Sequence, residues 1–214
     1  MVEMMRIGIP KEKNKNETRV ALVPVSIPKL AKLGFDVVIE KGAGENSGYS
    51  DSEYEKKGAK ISNLKDVMSS ELVASIDIPD IKMMKKGQLL ACMADPFRKL
   101  KETKEIIDAG ITLLSLDVIP RRLSKGQSMD VNSSQDNLSG YRAALMGSQH
   151  IAKMVPMMMT SAGTVRPAKF IIQGAAVAGL QAIATAKRLG AVVSATDVRI
   201  ATKEQVESLG AKFI

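Results

Sequence analysis

The apolar positions of this chain fall into short runs that alternate with segments of helical spacing. Residues 6–10 form the first run and residues 35–39 form the second. Between them, Ser26 stands where a helix N-cap is expected, Pro28 follows in the first turn, and Gly34 closes the segment. A strand, a helix and a second strand in this order predict a parallel β–α–β unit.

The same alternation continues through the first half of the chain. Residues 72–78, 88–93 and 111–116 are apolar runs of strand length. Residues 97–109 have helical spacing, and Gly110 stands at the expected stop. We therefore predict an α/β domain built on an open parallel sheet.

A long segment without internal strand signals follows. Residues 137–158 carry apolar side chains at helical spacing and contain no proline before Pro156, which predicts a connecting helix. The methionines at 157–159 are interpreted as adaptable core filler, with contact to a ligand as the alternative. The predicted division is an N-terminal α/β subdomain at 1–136, a connecting helix and linker at 137–163, and a second α/β subdomain at 164–214.

The most informative pattern lies in the second subdomain. An apolar run at 169–173 leads into Gly174, an alanine-rich helical segment follows, and a second run at 192–196 ends in Asp197, 23 positions after Gly174. This order is typical of a dinucleotide-binding β–α–β unit. Gly174 would allow the tight turn, the helix N-terminus would offer N–H groups to a pyrophosphate, and Gly179 would permit close packing. Asp197 would accept the ribose hydroxyls, which favours NAD over NADP.

Three features limit this interpretation. Ala176 replaces the middle glycine of the usual pattern, and Arg199 weakens the discrimination against a 2′-phosphate. The chain ends at Ile214, where a third strand would begin, so the second sheet is expected to be incomplete and to form only half of a nucleotide domain. The alternative is an ordinary crossover whose glycines serve packing alone.

Composition excludes several other classes of protein. With one cysteine, Cys92, and one histidine, His150, no internal disulfide and no cysteine or histidine metal site is expected, so no metal is assigned. The net charge of +8 is spread over many short segments and aromatic residues make up 3%, so we expect a solvated basic surface rather than nucleic-acid binding. No apolar run approaches the roughly 20 residues of a membrane span, and the opening residues lack the apolar core of a signal peptide.

Several segments resemble the NAD(H)-binding component of proton-translocating NAD(P) transhydrogenase. They are residues 135–143, 156–164, 178–193 and 195–213. The opening segments 7–13 and 17–24 resemble the same family and its relative alanine dehydrogenase. The resemblance implies two Rossmann-like subdomains around a cleft, a homodimer, and transfer of hydride from NADH to NADP⁺ held on a partner component. It also implies a membrane-spanning component that couples the transfer to proton movement, with this chain on the cytoplasmic or mitochondrial matrix face.

The resemblance also implies site residues. The family's loop over the nicotinamide is matched by Arg122, Gln127 and Asp130, with Ser133 nearby, although Arg121 is an alternative to Arg122. Such a loop would orient the nicotinamide without supplying an acid or a base. Without the resemblance, a solvated loop is the simpler interpretation. The residues expected to bind NAD(H) are Gly174, Val177, Ala178, Gly179, Asp197, Val198 and Arg199.

Two other functions compete with this one. Arg19 matches the carboxylate-binding arginine of alanine dehydrogenase, but segments 74–79 and 90–95, near which that enzyme's substrate lysine and catalytic histidine are expected, contain neither residue. The other alternative is a truncated, non-catalytic module that dimerises or docks, which Ala176 and the end of the chain at Ile214 favour.

Overall fold

The computed structural model describes residues 5–121 and 123–214, and they divide into two compact units. The first unit is Met1–Met129 and the second is Asp130–Ile214. The sequence division at residues 136 and 163 differs from this split, because the helix expected as a separate connector packs within the second unit. None of the described helices is long and apolar enough to cross a bilayer.

A six-stranded parallel sheet forms the centre of the first unit. Its strands lie in the order β3-β2-β1-β4-β5-β6. They are β1 (Met5–Ile9), β2 (Phe35–Glu40), β3 (Lys60–Ser62), β4 (Leu72–Ala74), β5 (Leu89–Cys92) and β6 (Thr112–Ser115). The helices are α1 (Ile27–Lys32), α2 (Asp51–Lys56), α3 (Leu64–Met68), α4 (Leu100–Asp108) and α5 (Ser124–Gln127). The order of the strands reverses between β1 and β4, which makes this unit a doubly wound α/β domain, as the alternating pattern predicts.

Strands β4 and β5 are apolar along their whole length, as expected of parallel strands in a sheet that is covered on both faces. Ile9 and Ile39 are buried in one cluster, and Val73 and Leu90 are buried in the other. Gly8 of β1 leaves no room for a side chain, since a methyl group there would overlap the carbonyl oxygen of Val67 in α3. This close approach is why a glycine interrupts the first apolar run.

Two expectations for the first unit need correction. Ser26 precedes α1 but does not cap it, because its backbone is already helical (φ −85°, ψ −21°) and continues from a 3₁₀ turn at Pro24–Ser26. The strand expected at 72–78 ends at Ala74. Beyond it, the N–H groups of Ile76 and Asp77 donate to the Glu12 carboxylate, at 2.6 and 3.1 Å.

The second unit combines a long helix, a hairpin and a parallel sheet in the order β11-β10-β9. The elements are α6 (Val131–His150), β7 (Met158–Thr160), β8 (Gly163–Val165), β9 (Lys169–Gln173), α7 (Val177–Arg188), β10 (Val192–Thr196), α8 (Lys203–Ser208) and β11 (Lys212–Phe213). The third strand thus begins where the sequence predicts it. Helix α6 packs tightly on α7, since a methyl group on Gly140 would overlap the carbonyl oxygen of Ala178.

The long helix lies earlier in the chain than its apolar spacing predicts. It begins at Val131 because the Asp130 carboxylate accepts the Ser133 N–H at 3.0 Å as an N-cap, and it ends at His150. Residues 158–165 form the antiparallel hairpin β7-β8, mostly within the segment predicted as a linker. The prediction that the methionines at 157–159 fill a core is wrong: all three are exposed, and Met159 is 75% accessible.

Candidate dinucleotide-binding site

The turn between β9 and α7 has the geometry that its two glycines predict. Gly174 has φ +91°, a conformation that L side chains rarely adopt. Its N–H donates to the carbonyl oxygen of Thr196 at 2.8 Å, which ties the turn to the end of β10. A methyl group on Gly179 would overlap the Gly174 carbonyl oxygen, so helix and turn pack too closely for any larger residue.

The N-terminus of α7 is available to an anion. Ala176 precedes the helix in an ordinary extended conformation (φ −85°, ψ −167°) and makes no side-chain cap. The first-turn N–H groups of Val177, Ala178 and Gly179 have no partner within an α-helix. All residues of this turn are described, and none is acidic. The extra methyl group of Ala176 therefore causes no backbone strain, and the helix end keeps its positive potential toward a pyrophosphate.

Asp197 accepts hydrogen bonds from the segment before α7 and from the segment after β10. One carboxylate oxygen, Oδ2, accepts the Ala175 N–H at 2.7 Å, and the other, Oδ1, accepts the Arg199 N–H at 2.8 Å. The Arg199 side chain donates to both oxygens, from Nε at 3.0 Å and from Nη2 at 3.1 Å. These bonds hold the pKa of Asp197 far below its usual range. The Arg199 side chain makes the largest contribution to this lowering, and the two backbone N–H groups make the next largest. The carboxylate is charged at every physiological pH.

A shallow hollow of about 310 Å³ lies over this turn. It is lined by Gln173, Gly174, Thr196, Asp197 and Val198, which stand at the carboxyl ends of β9 and β10. Open α/β sheets bind ligands at this edge. The hollow is at the lower limit of the roughly 300–1,000 Å³ typical of ligand pockets, so it fits a sugar or a portion of a dinucleotide.

The residues expected over the nicotinamide are distributed over both units. Arg122 lies outside the described residues, while Arg121 and Gln127 are exposed in the first unit. Asp130 and Ser133 begin the second unit and contact each other, with the Ser133 hydroxyl donating to Asp130 Oδ2 at 2.6 Å. In the structure this pair caps α6. A role at the nicotinamide for Gln127, Asp130, Ser133 and one of the two arginines stays a prediction.

The first unit contains a larger cavity, of about 860 Å³, at the carboxyl ends of β1 and β4. Leu64, Met68 and Ile81 supply an apolar lining, and Glu12 and Lys99 are among its charged residues. Partial burial raises the pKa of Glu12, although its two backbone N–H bonds oppose the shift. None of these lining residues is predicted from the sequence to be functional. The signal for this cavity was available, because the lining residues directly follow the two strands at which the strand order reverses.

The surroundings of Arg19 and Cys92 favour a structural role for both residues. Arg19 is paired with Glu17, with Nε to Oε1 at 2.8 Å and Nη2 to Oε2 at 2.7 Å. Cys92 is buried in β5, and burial raises the pKa of its thiol to about 12. The thiol is therefore protonated and unreactive at neutral pH.

Comparison with known proteins shows the family. Residues 8–139 match the alanine dehydrogenase/PNT N-terminal domain, and residues 143–214 match the alanine dehydrogenase/PNT C-terminal domain. The chain therefore belongs to the alanine dehydrogenase/PNT family of α/β proteins.

Within this family the chain is similar above all to transhydrogenase subunits. It is 44% identical to the first portion of NAD(P) transhydrogenase subunit alpha of Rhodospirillum rubrum over 220 residues, which cover 98% of this chain and 57% of that protein. The corresponding subunit of Rickettsia prowazekii is 42% identical over 219 residues, with the same coverage of both chains. The chain thus spans a little over half the length of these relatives.

Among solved structures, a transhydrogenase is likewise more similar to this chain than an alanine dehydrogenase. The transhydrogenase from Sinorhizobium meliloti superposes with a TM-score of 0.94 at 47% identity, covering 98% of this chain and 64% of that one. An L-alanine dehydrogenase superposes with a TM-score of 0.85 at 27% identity, covering 98% and 60%. Alanine dehydrogenase is therefore the more distant relative.

Proposed function

We propose that this chain is the NAD(H)-binding portion of a transhydrogenase subunit alpha, which delivers hydride from NADH to NADP⁺ held on a separate component. The observation that carries the proposal is the β9–α7 turn. Its left-handed glycine, the free N–H groups of α7 and the Asp197 carboxylate come together at one sheet edge. The similarity to transhydrogenase subunits supports it.

In this proposal each group has one task. The α7 N-terminus binds the pyrophosphate through Val177, Ala178 and Gly179, and Asp197 accepts a ribose hydroxyl. The nicotinamide supplies the hydride chemistry when NAD(H) is bound. The protein contributes position, through the segment that contains Arg122, Gln127, Asp130 and Ser133. Hydride transfer between two nicotinamides needs no proton carrier, and none of these residues has that task.

Such a function requires partners. An NADP(H)-binding component must accept the hydride, and a membrane-spanning component would couple the transfer to proton movement, with this chain on the cytoplasmic or matrix face. A homodimer is also proposed. Its support is the hairpin β7-β8, since an isolated two-stranded hairpin is marginally stable in water. Its apolar side chains Met158, Met159 and Val165 are exposed, as is the preceding Met157. Sedimentation equilibrium tests it, and a monomer at tens of micromolar would exclude a stable dimer.

The experiment for nucleotide binding is calorimetric titration of this 214-residue chain with NADH and, separately, NADPH. We expect NADH to bind more tightly, because Asp197 repels a 2′-phosphate. The Asp197→Asn variant should lose this preference. A chain that is folded by circular dichroism and binds neither nucleotide would refute the proposed site.

A non-catalytic docking module is the second candidate, and one observation favours it. The described residues of the second unit form a three-stranded parallel sheet, and Ile171 of its edge strand β9 is exposed. Such a module would keep its melting temperature unchanged on addition of NADH. An alanine dehydrogenase activity is not favoured, because Arg19 is paired with Glu17 and segments 74–79 and 90–95 contain neither lysine nor histidine.

A further inference from the structure

The Arg199 guanidinium lies where the proposed function requires a ribose. A carboxylate offers about four lone-pair sites, and in Asp197 all of them have donors: Ala175 N–H, Arg199 N–H, Arg199 Nε and Arg199 Nη2. Only 6% of the Asp197 side chain is accessible. A ribose hydroxyl must donate to this carboxylate, so one of the four donors has to leave first.

Among these donors, only the guanidinium can leave without breaking the turn. The N–H groups of Ala175 and Arg199 belong to the backbone that joins β9 to α7 and β10 to the next segment. The Arg199 side chain is 59% accessible, and its hydrogen bonds within the described residues all go to Asp197. The intervening Val198 is fully exposed as well, so this segment lies at the surface.

We propose that Arg199 is an internal competitor for the ribose-binding carboxylate and thereby sets how strongly this site distinguishes NADH from NADPH. The inference rests on the proposed function and adds a specificity-determining role. For NADH, displacing the guanidinium costs free energy that reduces affinity. For NADPH, the displaced guanidinium stays within one side-chain length of Asp197 and offsets the repulsion between that carboxylate and the 2′-phosphate.

The test compares NADH and NADPH dissociation constants for the wild type, Arg199→Gln, Asp197→Asn and the double variant. Exposed ion pairs are weak, so we expect Arg199→Gln to bind NADH about 1.5- to 5-fold more tightly. It should bind NADPH more weakly, so that the ratio of the two constants widens. In the Asp197→Asn background, Arg199→Gln should produce no gain in NADH affinity, because the competition requires the carboxylate.

Arg188→Gln is the matched control. It removes the same charge from the exposed end of α7, and Arg188 makes no contact with Asp197 among the described hydrogen bonds and ion pairs. Both nucleotides should respond to it alike. If Arg199→Gln does not fold, Arg199→Lys keeps the charge without the paired N–H donors, and a smaller gain in NADH affinity is expected.

The possible outcomes distinguish the inference about Arg199 from the proposed function. If the wild type binds NADH and Arg199→Gln binds it equally or more weakly, the inference is wrong and the proposed function stands. If neither the wild type nor any folded variant binds NADH, both fail. A gain in NADH affinity that persists in the Asp197→Asn background would also overturn the inference, since Arg199 would then act without the carboxylate.

Discussion

Replacing Gly179 with alanine tests the central turn directly. The new methyl group would overlap the carbonyl oxygen of Gly174, an atom of the turn backbone that cannot rotate away like a side chain. Either α7 moves away from β9 or the turn shifts. Both changes displace the first-turn N–H groups of α7 relative to Asp197.

The size of the effect follows from overpacking. A forced methyl group in a well-packed site costs about 1–3 kcal/mol. The second unit has 85 residues, from 130 to 214, and 1 kcal/mol shifts the melting temperature of such a domain by roughly 4–8 °C. We therefore expect Gly179→Ala to melt at least about 4 °C lower by circular dichroism. NADH affinity should fall as well, because the pyrophosphate donors move.

Gly147→Ala is the control for this substitution. Gly147 lies inside α6 of the same unit, and a methyl group there would approach only the ring edge of Phe170, at 3.3 Å. Alanine also favours helix by up to about 1 kcal/mol relative to glycine, so this variant should melt close to the wild type. The reasoning would be refuted if Gly179→Ala matched the wild type in both melting temperature and NADH affinity.

Three further predictions concern other regions of the chain. Asp130→Ala removes the cap of α6, so the second unit should lose about 0.5–2 kcal/mol in denaturant unfolding, whereas Asp130→Asn should retain most of it. Arg6 lowers the pKa of Asp66 to about 2, so the stability from this ion pair is present above the ordinary pKa of 3.8 and is lost as pH falls toward 2. Acid unfolding of Asp66→Asn should lack this component. An acid unfolding profile identical to that of the wild type would argue against the pair. Cys92 should resist alkylation at pH 8 until the chain is unfolded in denaturant, because burial keeps its thiol protonated and inaccessible. Rapid labelling of the folded chain would contradict this and would show that β5 opens.

Local chemistry explains why much of the fold could be predicted from the sequence. The turn at Gly174 requires a left-handed residue, and the apolar runs of β9 and β10 alternate between more buried and more exposed positions, as successive side chains of a strand do. These demands involve neighbours in sequence, so the elements β9, α7 and β10 were predicted within a few residues. The prediction failed where two local signals competed. Ser26 is a suitable N-cap residue, but the 3₁₀ turn that contains it gives its backbone a helical conformation, so it does not cap α1.

The sequence by itself determined the α/β class, the glycine turn and the position of Asp197. Only the tertiary structure decided what each of these side chains contacts. The bond from the Ala175 N–H to Asp197 depends on how β9 and β10 lie side by side, and the N–H bonds to Glu12 beyond the end of β4 depend on the placement of a residue more than sixty positions away. The exposure of Met159 likewise follows from the hairpin having no sheet to extend among the described strands. Periodicity encodes burial along one element, whereas these contacts arise between elements distant in sequence.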